Sequence, residues 1–225
     1  MAGIGSAVAL VPILNLFGID LNQAKAIGLF VNTSSTLTGA IMNIKRKTVD
    51  FSIALPLIIT TSLFAPLGAY LSQFIDEAIV KTLLSFFLIS SATLMLFHQK
   101  PPREEHFMST WILYLLGAVV GFFSGILGIG GGAYIILALL FLGFDAKRIT
   151  YAVTLVIPFS TLFAFLTYLS FVDIPFMLLL ICAFAAMLGG FLGNRLMHYK
   201  LNSSHIKKII VFILYLTALK LITTI

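Results

Sequence analysis

The run from Gly121 to Arg148, GFFSGILGIGGGAYIILALLFLGFDAKR, limits what this chain can fold into more than any other stretch. An apolar segment arrives, gives way to Gly128, Gly130, Gly131 and Gly132, and resumes as a short apolar piece. That piece stops at Gly143, before Asp145, Lys147 and Arg148. Glycine has no side chain and permits backbone conformations that a helix does not use. Breaking a helix inside hydrocarbon strands N–H and C=O groups, which is tolerated only where protein or a watery cavity satisfies them. A glycine break between two apolar segments is therefore where a bound solute is expected.

Composition decides that the surroundings are hydrocarbon. Of the 225 residues, 60% are hydrophobic and 10% charged, with a mean hydropathy of +1.10. A soluble domain is about 45–50% apolar and roughly 25% charged. The excess must face lipid, so the length is counted in spans of about 20 residues. Apolar segments run over 8–17, 23–43, 51–74, 79–97, 107–127, 133–142, 149–171, 174–197 and 206–225, and the polar linker HQKPPREEH runs from His98 to His106. No basic n-region with a cleavage site opens the chain, so no signal peptide is expected. Helix is the expected state, because open sheets cannot span and barrel strands would alternate polar and apolar residues.

The halves share landmarks. Gly3-Ile4-Gly5 matches Gly128-Ile129-Gly130 at an offset of 125, and Gly18-Ile19-Asp20 meets Gly143-Phe144-Asp145 at the same offset. Leu67-Gly68 meets Leu192-Gly193, and Val49-Asp50 meets Val172-Asp173 two residues out of step. Duplication of this kind is typical of secondary transporters, with the site at the repeat interface. Charge chooses between repeat orientations. If the short segments cross, the second repeat is inverted, and Lys45, Arg46, Lys47, Lys100, Arg103, Lys147, Arg148, Arg195, Lys200, Lys207 and Lys208 all face the cytoplasm. Only Lys25 and Lys81 then lie outside, with Lys220 near the outer end of the last span; parallel repeats would place 5 inside and 8 outside. The positive-inside rule favours inversion. The expected architecture is thus an all-α, polytopic helix bundle with glycine-broken helices. Inverted repeats occupy residues 1–97 and 107–225, joined by a cytoplasmic linker at 98–106. Repeat one lacks a counterpart of 107–127: either its first helix is missing or Met1 is a late start.

GILGIGGGAYIILALLFLGF, followed by a basic turn and a second span, resembles the TauE/SafE sulfite exporter family, also called the 4-toluene sulfonate uptake permease superfamily. The resemblance runs through both repeats. It implies an integral membrane transporter of sulfur-containing or other organic anions. Family members usually carry a helix before the first glycine motif. In this chain Ser6 and Ala7 stand where repeat two has Gly131 and Gly132. Where the family often has a Thr-Ser pair, this chain has Leu29-Phe30 and Thr154-Leu155. A second copy or a partner chain is expected to cover the place of the missing helix.

The residues point to an anion independently. Gly130 to Gly132 can present successive N–H groups as a concave nest that attracts negative charge. The helix resuming at Ala133 adds the positive end of its dipole, an effect of up to about 2 kcal/mol. The candidate binding residues are therefore Gly128, Gly130, Gly131 and Gly132, together with Asn32, Ser34 and Thr36 of repeat one and Thr154 and Ser160 of repeat two. Thr33, Ser35 and Thr161 belong to the same polar runs. Close helix packing is the competing explanation for these small residues.

Other chemistries fit less well. Gly128-x-Gly130-x-x-Ala133 matches the loose dinucleotide fingerprint, but a spanning helix precedes it and no acidic residue follows at about 20 residues. Ser124 has no histidine at its depth, since His98, His106, His198 and His205 fall in or beside loops, and metal binding fails on the same ground. Cys182 stands alone in an apolar run, as a small buried hydrophobe would. Pro158 is expected to kink its helix, for Pro56 and Pro66 a kink, packing and gating stay equally open, and Arg195 is expected to snorkel to the interface. No basic face outside the loops offers itself to nucleic acid. The sequence therefore predicts a multi-pass plasma-membrane protein that moves a small anion without cofactor or metal. A passive anion channel is the alternative, and a membrane enzyme stands third.

Overall fold

The apolar runs become helices, and no strand occurs among the described residues. The computed structural model describes residues 6–97, 110–186 and 203–223. The elements in order are α1 (Ser6–Leu16), α2 (Leu21–Lys45), α3 (Phe51–Leu71) with a short 3-10 turn (Ser72–Phe74), α4 (Glu77–Phe97) and α5 (Thr110–Leu127). They continue with α6 (Gly132–Phe141), α7 (Ala146–Tyr168), α8 (Phe176–Ala186) and α9 (Ser203–Ile222). Gly3-Ile4-Gly5, the 98–106 linker, Leu192-Gly193, Arg195 and His198 lie outside the described residues. Phe51–Phe74, Thr110–Leu127 and Arg148–Tyr168 are long and apolar enough to cross a membrane; α6 and α8 are shorter apolar helices.

The exterior matches that reading. Leu55, Ile59 and Leu63 of α3, Trp111 and Leu115 of α5, and Phe159, Phe163 and Leu166 of α7 all lie exposed. Apolar surface on that scale requires lipid rather than water. This is a membrane protein. The prolines do not end their helices: α3 continues through Pro56 and Pro66, and α7 through Pro158.

Helix boundaries recur at the spacing seen in the sequence. Helices α2 and α7 begin at Leu21 and Ala146, and α3 and α8 at Phe51 and Phe176, each pair 125 residues apart. The turns before α2 and α7 share one construction. Gly18 and Gly143 take φ of 85° and 92°, and the Ile19 and Phe144 N–H groups reach back to the Leu14 and Leu139 carbonyls at 3.2 and 3.1 Å. This is the left-handed cap that glycine permits at a helix C-terminus. Asp20 then accepts from the Asn22 and Gln23 N–H groups, and Asp145 from that of Arg148.

Two packings position the centre. Helix α5 lies on α3 through Gly117, Gly121 and Gly125, where backbone approaches backbone. A Cβ on Gly125 would stand 2.0 Å from the Ala65 carbonyl oxygen. Such small-residue spacing lets membrane helices approach closely. Helices α2 and α7 run antiparallel along their length. Gln23 meets Asp173, Phe30 meets Phe165, Thr33 meets Thr161, Gly39 faces Thr154, and Asp50 beyond α2 meets Arg148. The numbers rise on one helix as they fall on the other.

Charge is sorted between the two ends of this pair. At one end, Gln23 Nε2 donates to the Asp173 carbonyl at 2.9 Å, with Asp20 capping α2 and the Lys81–Glu77 pair (3.0 Å) on α4. At the other, Lys45, Arg46 and Lys47 follow α2, and Arg148 pairs with Asp50 at 2.6 Å. Helix α8 is barer than its counterpart α3. Ile181 and Ala185 are exposed, whereas Pro56 and Thr60, 125 residues earlier, are buried beneath α5.

Candidate anion site

Between α5 and α6 the backbone leaves the helix for four residues. Gly128 and Gly130 take φ of 69° and 67°, which side-chain-bearing residues rarely adopt. Every residue from Gly128 to Gly132 is buried. Gly131 caps α6, and no side chain caps it in turn. The N–H groups of Gly130, Gly131 and Gly132 find no acceptor among the described residues. They are the unpaired donors that any helix leaves at its N-terminus, here placed away from solvent.

Gly131 and Gly132 border a small cavity with room for about one water-sized molecule. Gly131, Gly132, Ser124, Ser160, Thr161 and Thr61 contribute to its wall, with aliphatic side chains filling the rest. Among the described residues, no charged side chain lines it. Two of the hydroxyls already donate to carbonyls: Thr61 to Leu57 at 2.7 Å, and Thr161 to Ile157 at 2.8 Å. Thr161 also lies 2.7 Å from the Thr33 hydroxyl, so α2 and α7 are joined beside the cavity. Ser124 differs. Its residue is 1% exposed, and its Oγ is buried without a hydrogen-bond partner. A buried unpaired hydroxyl is costly and requires an explanation.

The sequence-predicted residues divide into three groups. Gly131, Gly132 and Ser160 border the cavity, and Gly130 lies against Asn32, where a Cβ would stand 2.2 Å from Asn32 Nδ2. Gly128 packs instead on the stem of Lys25, 2.3 Å from its Cβ on the same test. Ser34, Thr36 and Thr154 turn back on their own helices, donating to the carbonyls of Phe30, Asn32 and Thr150. Thr154 also packs its methyl against Gly39.

A match to known proteins agrees with this geometry. The chain fits the family described as Sulfite exporter TauE/SafE over residues 1–221. It belongs to that family. One relative, named Probable membrane transporter protein MJ0441, from Methanocaldococcus jannaschii, is 31% identical over 178 residues, covering 75% of this chain and 66% of the relative. Another, Probable membrane transporter protein ORF9 from Sinorhizobium sp, is 28% identical over 229 residues, covering 97% of this chain and 85% of the relative. No solved structure matches.

Two residues of this TauE/SafE chain matter more than the sequence suggested. As a nucleophile Ser124 lacks a base. Its orphaned hydroxyl instead belongs to a residue that lines the same cavity as Gly131 and Gly132. Lys25 counted only as an outer charge, yet it is 1% exposed. Its signal in the sequence was its position, one turn inside an apolar helix.

Proposed function

We propose that the chain is a secondary membrane transporter that moves a small anion across the plasma membrane by alternating access between two inverted repeats. Sulfite, an organosulfonate or a related sulfur-containing or organic anion is the substrate class. One observation carries this reading: Gly131 and Gly132, whose N–H groups find no acceptor among the described residues, and Ser124, with its unpaired hydroxyl, line one small buried cavity. Preorganised donors with no proton acceptor of their own suit an anion. They also release it again, because no fixed cation holds it there.

The cavity is only large enough for about one water. A sulfonate needs more room, so the structure corresponds to a closed state between two open ones. The antiparallel α2–α7 pair, with its matching turns at opposite ends, supports inversion as the source of those two states. Reconstitution into liposomes tests the proposal. Purified protein should exchange sulfite, sulfonates or carboxylates, and unlabelled anion trapped inside should drive uphill uptake of labelled anion. Flux that only follows the gradient, with no counterflow, would instead mean a passive channel. No flux of any anion in the panel would remove the reading.

A further inference from the structure

The broken helix has two ends, and only its N–H end faces the cavity. The other end is the last turn of α5, whose carbonyls have no helical partner. There the Tyr168 hydroxyl lies 3.0 Å from the Gly125 carbonyl, 3.3 Å from that of Ile126 and 3.0 Å from the Ser72 hydroxyl. Lys25 completes the cluster. Its Nζ donates to Ser72 Oγ at 2.7 Å and to Asn22 Oδ1 at 3.1 Å, and lies 5.9 Å from the centre of the Tyr168 ring. Its stem runs under Gly128, the first residue of the break.

Lys25 is the only buried charged side chain among the described residues. Neither ion pair found there includes it. Asp20 and Glu77 attract it from a distance, but its contacts are neutral oxygens. Burying a charge without a paired counter-charge is expensive, and within a membrane protein such a group marks function by default. In carriers built on discontinuous helices, the carbonyl end of a half-helix coordinates the coupling cation while the N–H end takes the anionic group. Here an ammonium stands at the carbonyl end, bridged to it by Ser72 and Tyr168. The position 125 residues on is Thr150, so the second repeat carries no equivalent charge.

We propose that the Lys25 ammonium is a tethered counter-cation of the transport cycle, seated at the carbonyl end of the broken helix in place of a free coupling ion. This rests on the transport reading above. It follows that anion flux needs no sodium, and that removing the charge stops flux even where the fold survives.

Two substitutions separate function from support. Lys25→Met fills the space without charge, and Lys25→Ala leaves Asn22, Ser72 and Tyr168 around a vacant cation position. In liposomes, labelled sulfite and methanesulfonate should enter equally well in sodium and in choline buffers. Flux per folded molecule should fall at least about tenfold in both variants, as the loss of hydrogen bonds from a charged donor to Ser72 and Asn22 would give. Methylammonium should restore flux in Lys25→Ala, and not in Lys25→Met, and should raise the melting temperature of the Ala variant alone. A Met variant that transports like wild type, or a wild type that requires sodium, would overturn the proposal. Should neither anion cross with wild-type protein, the transport reading fails for those probes. The methylammonium shift in melting temperature would still decide the cation position: a rise in Lys25→Ala supports it, and no rise overturns it.

Discussion

Ser124 is the residue on which the site reading can be tested most cleanly. Its hydroxyl is buried without a partner, so as a structural group it only costs stability. Ser124→Ala should therefore leave the melting temperature unchanged or raise it. A hydrogen bond to a charged ligand is worth about 1.5–3 kcal/mol, so anion affinity should drop about tenfold or more. Unchanged apparent affinity in a flux titration would remove Ser124 from the site. Gly131 needs a paired design. A Cβ there would stand 2.3 Å from Val120 Cγ1 and 3.3 Å from Ser124 Cβ, so a substitution both crowds α5 and enters the cavity. Adding Val120→Ala to Gly131→Ala relieves the crowding and leaves the methyl beside Ser124. The double variant should fold like wild type yet transport poorly; flux recovering along with stability would mean that Gly131 serves packing alone. The glycines and the polar run from Asn32 to Thr36 were legible in the sequence because such residues are rare in an apolar span. Which hydroxyls face the cavity was not. Ser34, Thr36 and Thr154 satisfy themselves on carbonyls one turn back, an option every helical serine and threonine has.

At the scale of elements, the two ends of the α2–α7 pair are closed by contacts at matching positions. Gln23 and Arg148 are 125 residues apart, each in the first turn of its helix. Each holds the connection leading out of the other helix, Gln23 at the Asp173 carbonyl and Arg148 at the Asp50 carboxylate. A transporter that opens one end at a time must break one of these while keeping the other. Asp50→Asn should therefore favour opening at the Arg148 end. A cysteine at Ser160 should then react faster with a thiol reagent supplied from that side, and Asp50→Arg with Arg148→Asp should slow it again. Equal reactivity in all variants would show that the pair does not gate. The pair contributes little to stability, because Arg148 is 44% exposed and such pairs are worth about 0–1 kcal/mol. Its pH dependence has a definite sign. Partial burial pushes the Asp50 carboxyl up, but the Ser52 hydroxyl and N–H and the Arg148 guanidinium outweigh it and hold it below the usual carboxylate value. Its contribution is thus complete above about pH 4, the unfolded value, and is lost as pH falls through the lower folded one. Gating should not change between pH 5 and 8 on account of Asp50. Sequence could suggest neither contact, since Asp50 and Asp173 were matched only as landmarks two residues out of step.

For the whole molecule, helix order and the recurrence of boundaries were readable from the sequence, because glycine turns and aspartate caps are local signals. How the halves face each other was approached only through charge counting, which is blind to packing. The described residues add the missing relation: α2 and α7 are antiparallel, so fixing the side of one end fixes the other. Eleven lysines and arginines fall at the end of Lys47 and Arg148 or in the segments assigned with it, against Lys25 and Lys81 at the opposite end, and Lys220 is the last of the 14. The end of Asp20, Glu77 and Asp173 is correspondingly acidic. The positive-inside rule then predicts that the Arg148 end lies in the cytoplasm. In a protein whose own Cys182 has been replaced, a cysteine at Glu77 or Asp173 should react with a membrane-impermeant maleimide added to intact cells. A cysteine at Lys47 should react only after the cells are opened, and a tag after Ile225 should be reached from outside. Labelling of Lys47 and Glu77 from one side would contradict the antiparallel pair, whose ends they mark. A cytoplasmic tag after Ile225, with Glu77 still outside, would be more damaging. It would leave the α2–α7 relation intact while placing the last helix of the second half in the same sense as its counterpart in the first. The repeats would then not be inverted as units, and alternating access by exchange of their roles would lose its structural basis.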